Sequence, residues 1–563
     1  MQQQTIFRML KNKVKKVFIG SSILMMLFIS IAFSSNNGFF EVAKSLDIFT
    51  TLYKELNTYY VDTLPHEKLI GTAMASICES LDPYTDFIAE ENMAEYRQMT
   101  TGRYGGIGSM IGGRPDYVVI TEPYEGYPAQ KAGLRAGDKI IAIDGKSTKG
   151  FSSDEVSKNL KGKAGSSVVV TVLRLNHQLK EEQKNITINR EEIKIKNVPY
   201  FGVIENNIGY IQLNSFTEKA GAEVHAAFNT LLQKNKIKGI VLDLRGNPGG
   251  LLNEAIAVAN VFIPRGVEVV TTKGRTEDNF KKYITEDAPI DTKLPMVILA
   301  DTNSASAAEI IAGTMQDLDR AVIIGQRTYG KGLVQSTASL PYNYKLKLTT
   351  AKYYIPSGRC IQAINYSQKN SNGDVNKTPD SLRAPFKTKN GRTVYDGGGV
   401  EPDITILPEY YSPVIFPLLV KNLLFDYANI YSATHNNISA ANKFSLTDKE
   451  YDSFVKFVTD KGFEYDTRSE KVVDYIKSVA EKEKQIDGIK TDLDELKSLL
   501  IAEKKKDLYK EKNEIKKLLE SEIVSRYFWQ TGRTEYSLKT DKEVLKAIEV
   551  LDNPAQIKKI LNQ

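Results

Sequence analysis

The sequence predicts a multidomain protein with an α/β core, a small β-rich module ahead of it, and helical regions towards both ends. Three observations carry this reading. At 563 residues the chain exceeds what one hydrophobic core holds, and its length corresponds to about three to four domains. Between residues 191 and 410, short apolar runs alternate with amphipathic helical stretches, the pattern of a sheet covered on its faces. Ahead of that span the texture is glycine-rich with short β-branched runs, and behind it Lys- and Glu-rich with helical spacing. An apolar content of 41% and a charged content of 26% are those of a folded globular protein.

The elements follow in chain order. Arg8, Lys11, Lys13, Lys15 and Lys16 precede the uncharged run "VFIGSSILMMLFISIAF", Val17 to Phe33. A basic start, an apolar stretch and small polar residues after it form an export signal. The run is also near the lower limit for spanning a bilayer, so residues 1–36 are expected to be a signal peptide or a membrane anchor. The expected location is therefore the cell envelope, periplasmic or anchored facing outside the cytoplasm. No cysteine follows the run, so a lipid anchor is not supported. The net charge of +6 is concentrated in this segment, and the near-neutral remainder gives no reason to expect nucleic-acid binding.

Residues 37–100 show helical spacing, with Ile48, Leu52 and Leu56, then Leu69, Ile70, Met74, Ile77 and Leu81, until Pro83 in "LDPYTDF" breaks it. Residues 101–190 carry the strand-like runs "YVVI", "KIIAID", "SVVVTVLRL" and "NITINR". In the 191–410 core, "GIVLDLR", "LPMVILA" and "RAVIIG" read as buried strands, and "LLNEAIAVANVFI" and "SAAEIIAGTMQDL" as helices. Residues 411–563 read as helical. Ile486, Ile489, Leu493, Leu496 and Leu500 make a short seam there, best taken as an amphipathic helix packed on its own chain. Cys78 and Cys360 do not make a disulfide framework.

In the β-rich module, "GRYGGIGSMI" followed by "GYPAQKAGLRAGDKIIAIDGKSTKG" resembles a PDZ domain of the bacterial protease type. Gly105, Gly106, Ile107 and Gly108 let successive backbone N–H groups face one concavity, which suits a terminal carboxylate. A strand after them is expected to accept an extended peptide tail.

The core offers a nucleophile without an obvious histidine. The four histidines are His66, His177, His225 and His435, and of these only His225, in "AEVHAAF", falls in the core. A serine can instead be activated by a neutral lysine, which requires burial or neighbouring cations to bring the amine down from about 10.4. "DTNSASAAEII" places Ser304 and Ser306 at a strand-to-helix junction, and "IIGQRTYGKGLVQ" places Lys331 between glycines after a buried strand. With "LDPYTDF", "YYIPSGRCIQ" and "GGVEPDI", these strings resemble the carboxyl-terminal processing peptidases, the Ser–Lys tail-specific proteases of peptidase family S41. The resemblance covers residues 41–410 and departs at Ala308, where many members have a small polar residue.

What the resemblance implies is specific. The core is crotonase/ClpP-like, the nucleophile is Ser306, the general base Lys331, and Gln335 orients the lysine. "LRGNPGG" supplies an oxyanion N–H from Gly249, and Ala307 supplies the other. No metal or cofactor is implied. The partners are unfolded or tail-exposed proteins, the run 17–33 is available for membrane anchoring, and a homo-oligomer is left open. Three local readings compete. Ser306-Ala307-Ala308-Glu309 also fits a helix capping box, S-x-x-E. Gly325 to Lys331 fits G-x-x-x-x-G-K, but Gly332 stands where a phosphate loop needs Ser or Thr. The alternative for the whole chain is a catalytically silent PDZ scaffold binding protein C-termini in the cell envelope.

Overall fold

The computed structural model describes residues 37–369 and 375–563, so the expected export segment lies outside the described residues. The chain divides into two compact units, residues 1–80 and 81–563. In its described part the first unit is the helix Asn37–Tyr59 and most of the helix His66–Leu81, in agreement with the three- and four-residue spacing. No helix among the described residues is long and apolar enough to cross a membrane.

The second unit is organised around a six-stranded sheet in the order Tyr200–Ile204, Ile208–Gln212, Gly239–Asp243, Met296–Ala300, Val322–Gly325, Ile404–Thr405. All neighbours are parallel except the first pair. Because side chains alternate across a strand, each strand serves two layers. Ile240, Leu242, Ile298, Ala300 and Ile323 face one core, shared with the helices Ala220–Lys234, Leu252–Phe262 and Ala307–Asp317. Val241, Val297, Leu299, Val322 and Ile324 face the other, which is filled by Val544, Ala547, Ile548 and Leu551 of the helix Lys542–Leu551. The far C-terminal segment is therefore a layer of the core itself.

Before that segment, residues 414–536 form a helical bundle with its own core, including Tyr451, Phe454, Leu519 and Ile523. Of the seam residues only Leu493 is buried; the helix Lys490–Lys504 is tied to Arg468–Lys482 by the ion pairs Lys477–Asp494 and Lys497–Asp474, at 2.7 and 2.6 Å.

The β-rich module is a sheet in the order Ser109–Gly113, Val118–Pro123, Lys139–Ile143, Ser167–Leu175, Glu181–Asn189, packed on the helix Ser153–Leu160. A separate pair, Arg103–Gly106 with Glu191–Lys194, closes the module, which therefore runs to Lys194 rather than 190. A second, five-stranded sheet contains Asp86–Ile88, Leu333–Ser339 and Lys345–Tyr354. It pairs the end of the "LDPYTDF" string with Lys345–Tyr354, whose other edge carries the strand that follows Lys331.

Leu551 is 3% exposed and meets the sheet at Gly239, where an added Cβ would lie 3.0 Å from Leu551 Cδ2. Leu551→Ala is expected to destabilise the second unit by about 2–4 kcal/mol, read from the midpoint of chemical denaturation.

Candidate active site

The strand Met296–Ala300 ends in a turn that delivers Ser306 to the N-terminus of the helix Ala307–Asp317. Ser306 is the N-cap residue, and Glu309 reaches back to accept its N–H at 2.9 Å. This is half of the capping arrangement that the sequence suggests, yet the backbone is not that of an ordinary cap. Ser152, Thr447 and Thr467 begin S/T-x-x-E boxes in this chain with φ of −68°, −72° and −83°, all extended. Ser306 has φ 54° and ψ −114°, a conformation that side chains rarely adopt. Such strain persists only where the surroundings over-determine it, and it clusters at functional sites.

The surroundings do so. Glu309 is fully buried, and its carboxylate accepts four hydrogen bonds: the N–H groups of Ser306, Gly330 at 2.7 Å and Lys331 at 2.8 Å, and the Thr328 hydroxyl. Burial pushes this carboxyl up, against the four donors that favour its charge. From the other side the buried Tyr353 hydroxyl meets the carbonyl of Ser306 at 3.2 Å and the carbonyl of Lys331. Ser306 and Lys331 are thus gripped at both N–H and C=O.

Gly330 permits this approach, since it has φ 91° and a Cβ there would lie 2.4 Å from Ala363 Cβ. Of the N–H groups that a phosphate loop would offer, those of Gly330 and Lys331 are taken by Glu309 and those of Gln326, Thr328 and Tyr329 by backbone carbonyls, and the next element is the strand Leu333–Ser339 rather than a helix. That disposes of the nucleotide-loop reading.

Lys331 Nζ sits 4.2 Å from the centroid of the Tyr84 ring, which belongs to "LDPYTDF". An Asx turn holds that string, with Asp82 accepting the N–H groups of Tyr84 and Thr85 at 2.8 Å each. Burial, then the charge of Lys347, lowers the Lys331 amine to about 8, while Glu309 and Asp82 oppose the shift. The ring face also favours the charged form, but burial prevails. No hydrogen bond joins Ser306 Oγ to Lys331 Nζ. Gln335 lies on the adjoining strand, and its amide donates to Thr349 Oγ1 at 3.2 Å rather than to Lys331. Ser304, by contrast, is buried, donating to the Leu244 carbonyl at 2.8 Å and accepting the Asp301 N–H at 2.9 Å. All four histidines are exposed, so none stands beside Ser306 as a buried base.

The "RGNPGG" loop lies against the serine. A Cβ on Gly249 (φ 96°) would fall 2.8 Å from both Ala307 N and Ser306 Cβ. The expected Gly249 donor needs correction, because its N–H is already given to Asn247 Oδ1 at 2.8 Å. The N–H groups of Gly250 and Ala307 make no hydrogen bond among the described residues.

In the PDZ-like module, a cavity of about 180 Å³ lies between the edge strand Ser109–Gly113 and the helix Ser153–Leu160. Ile107 and Gly108 line it, and their N–H groups are unpaired among the described residues. Gly105 and Gly106 do not line it; they pair with Glu192 and Glu191 in the ladder that closes the module. Sequence reasoning missed Tyr104 and Lys161, which line the same cavity, with Lys161 Nζ donating to Gln98 Oε1 at 3.1 Å. Among the described residues no cluster of His, Cys, Asp and Glu is arranged to hold a metal ion.

Comparison with known proteins settles the family. Residues 207–368 match peptidase family S41, residues 119–174 a PDZ domain, and residues 414–551 the C-terminal helical domain of a probable PDZ-protease. A carboxy-terminal-processing protease of Bartonella bacilliformis is 35% identical over 389 residues, 67% of this chain and 87% of that one. The chain belongs to peptidase family S41. A probable CtpA-like serine protease of Staphylococcus aureus is 32% identical over 376 residues, 66% of this chain and 67% of that one. A solved photosystem II D1 C-terminal processing protease is 28% identical, with a TM-score of 0.36 over 64% of this chain and 87% of that one. This S41 peptidase is a serine-type endopeptidase, a carboxy-terminal-processing protease that carries a PDZ domain.

The double grip on Ser306 and Lys331 has measurable consequences. Glu309→Gln retains one acceptor oxygen for four donors, so a loss of about 1–3 kcal/mol in stability is expected. Because displacing reacting groups by about 1 Å costs about a hundredfold, kcat should fall by that order. Tyr353→Phe, which loses a single hydroxyl, should cost about tenfold in kcat with the fold retained. Steady-state kinetics and thermal unfolding on the same samples check both.

Proposed function

We propose that this peptidase is exported and cleaves proteins whose C-termini it captures in its PDZ domain, using Ser306 as nucleophile and Lys331 as general base. The observation that carries the Ser306–Lys331 assignment is the joint fixing of the two residues by Glu309 and Tyr353, with the lysine amine brought down to about 8. Neutral Lys331 takes the Ser306 Oγ proton as the oxygen attacks the scissile carbonyl. The oxyanion is held by the Ala307 N–H at the helix N-terminus and by the "RGNPGG" loop, where the Gly250 N–H is unpaired among the described residues. The protonated lysine then gives its proton to the leaving amine, and water hydrolyses the acyl-enzyme. Gln335 is assigned to orient Lys331 once substrate is bound, its amide leaving Thr349 to do so.

In the PDZ domain the terminal carboxylate of the substrate occupies the N–H groups of Ile107 and Gly108, unpaired among the described residues, and the tail adds to the edge strand Ser109–Gly113. Residues 1–36 direct export and either leave or anchor the protein, which places the enzyme in the cell envelope. Protease protection of the tagged protein in intact cells tests this: digestion of the body by an impermeant protease supports export, and protection until lysis refutes it.

For the chemistry, the purified full-length chain is incubated with an unstructured protein ending in an apolar tail, and products are followed by mass spectrometry. Ser306→Ala and Lys331→Ala should each remove cleavage, and amidating the substrate tail should raise KM. Full activity in Ser306→Ala would sink the nucleophile assignment. The pH profile has a definite sign. Only the neutral amine acts, so kcat/KM should be level well above pH 8 and fall about tenfold per pH unit below it. An acid limb unrelated to a group near 8 would refute Lys331 as base.

A further inference from the structure

Arg245 stands in the loop that carries Gly249 and Gly250, but its side chain reaches the far end of the sequence. Its guanidinium is held by three carboxylates. Nε and Nη2 donate to Asp243 at 3.0 and 2.6 Å, and Nη1 donates to Asp541 at 3.0 Å and to Glu543. Asp243 also accepts the Tyr210 hydroxyl at 2.6 Å. Asp541 caps the helix Lys542–Leu551, accepting the N–H groups of Glu543 at 3.0 Å and Val544 at 3.1 Å. That helix is the layer whose apolar face covers the catalytic sheet.

One carboxylate suffices to neutralise an arginine, and Asp243 already meets it in forked geometry. Adding two more is electrostatically costly, and burial together with Asp541 and Asp243 pushes the Glu543 carboxyl up despite Arg245. The arrangement has a mechanical sense instead. Asp243 fixes Arg245 to the strand end, and Asp541 and Glu543 fix it to a helix from another layer. The loop beyond Arg245 leads directly to the serine turn: Gly246 N–H donates to Asp301 at 3.0 Å and Ala305 N–H to the Asn247 carbonyl at 2.9 Å.

We propose that Asp541 and Glu543 are positioning residues for the oxyanion side of the active site, acting through Arg245 to hold the loop 245–250 against Ser306 and Ala307. The proposal rests on the serine-protease reading of Ser306 given above. It makes the helix Lys542–Leu551 a working part of the catalytic apparatus.

The test uses the full-length chain with Asp541→Asn and Glu543→Gln combined. Both replacements keep volume, and asparagine still caps a helix. Three quantities are measured: kcat and KM on the unstructured reporter protein, the Ki of a peptide boronic acid whose tetrahedral adduct places an oxygen in the oxyanion position, and the acid limb of the pH profile. The expected result is a fall in kcat of about tenfold to a hundredfold, KM unchanged, Ki rising in step with the loss in kcat/KM, and the acid limb unmoved. Parent-like kcat overturns the proposal, as does a lower kcat with unchanged Ki. A loss of activity that matches the unfolded fraction in thermal denaturation also overturns it. If the double variant does not fold, Glu543→Gln alone carries the same measurements. Ser306→Ala run in parallel separates the two readings: its continued cleavage defeats the serine assignment, whereas inactive Ser306→Ala beside a normal double variant defeats only the tether.

Discussion

The site depends on one buried carboxylate. Glu309 receives donors from residues 306, 328, 330 and 331, which come from two loops separated in sequence by a helix and a strand. A buried charge without partners is prohibitively costly, so the two loops must present their N–H groups together or the fold loses its balance there. This condition lets Ser306 keep φ at 54°, since strain of about 1–3 kcal/mol survives only under such constraint. Tyr353 adds the matching constraint on the carbonyls. A serine and a lysine then share a frame without needing a direct bond between their side chains.

The layers of the fold supply what the frame stands on. Each parallel strand is apolar on both faces, so the sheet needs a cover on each side. One cover comes from helices interleaved with the strands, including the one that Ser306 begins. The other comes from Lys542–Leu551, the penultimate helix among the described residues. The same helix presents Asp541 and Glu543 to Arg245 at the strand ends, where parallel α/β sheets place their sites. A region that reads as a helical appendage therefore completes the core.

Much of this was legible in the sequence, and the exceptions have physical reasons. "GIVLDLR", "LPMVILA" and "RAVIIG" became the central strands because uninterrupted apolar runs of that length have few other uses. The strings around Ser306 and Lys331 stand out as motifs, but the S-x-x-E spacing describes only a local bond. A carboxylate has two oxygens, and burial let Glu309 recruit donors more than twenty residues away, which spacing does not reveal. Against Gly249 as the donor stands a signal readable in "GNPGG", since asparagine two residues before an N–H commonly takes it in an Asx turn. Gly105 and Gly106 read in sequence like Ile107 and Gly108, because glycine alone does not distinguish a ladder from a concavity. Of the acids that hold Arg245, Asp541 and Glu543 lie some three hundred residues away, beyond any local pattern.

The frame also carries a conflict that its details resolve. Glu309 anchors the turn that bears Lys331, yet a negative charge nearby favours the protonated lysine and so opposes a neutral base. Four donors draw the carboxylate charge into local hydrogen bonds, and the contacts run to the backbone of Lys331 rather than to its amine. The amine instead faces Tyr84 and the field of Lys347, and burial outweighs the acids. Lys331 is only half-buried, so water still supports part of its charge. On the proposed mechanism a substrate strand lying over that side removes this water, and desolvation always disfavours the charged amine. On that mechanism the substrate itself helps to populate the neutral amine, the form that accepts a proton, at the cost of a lower affinity for that proton.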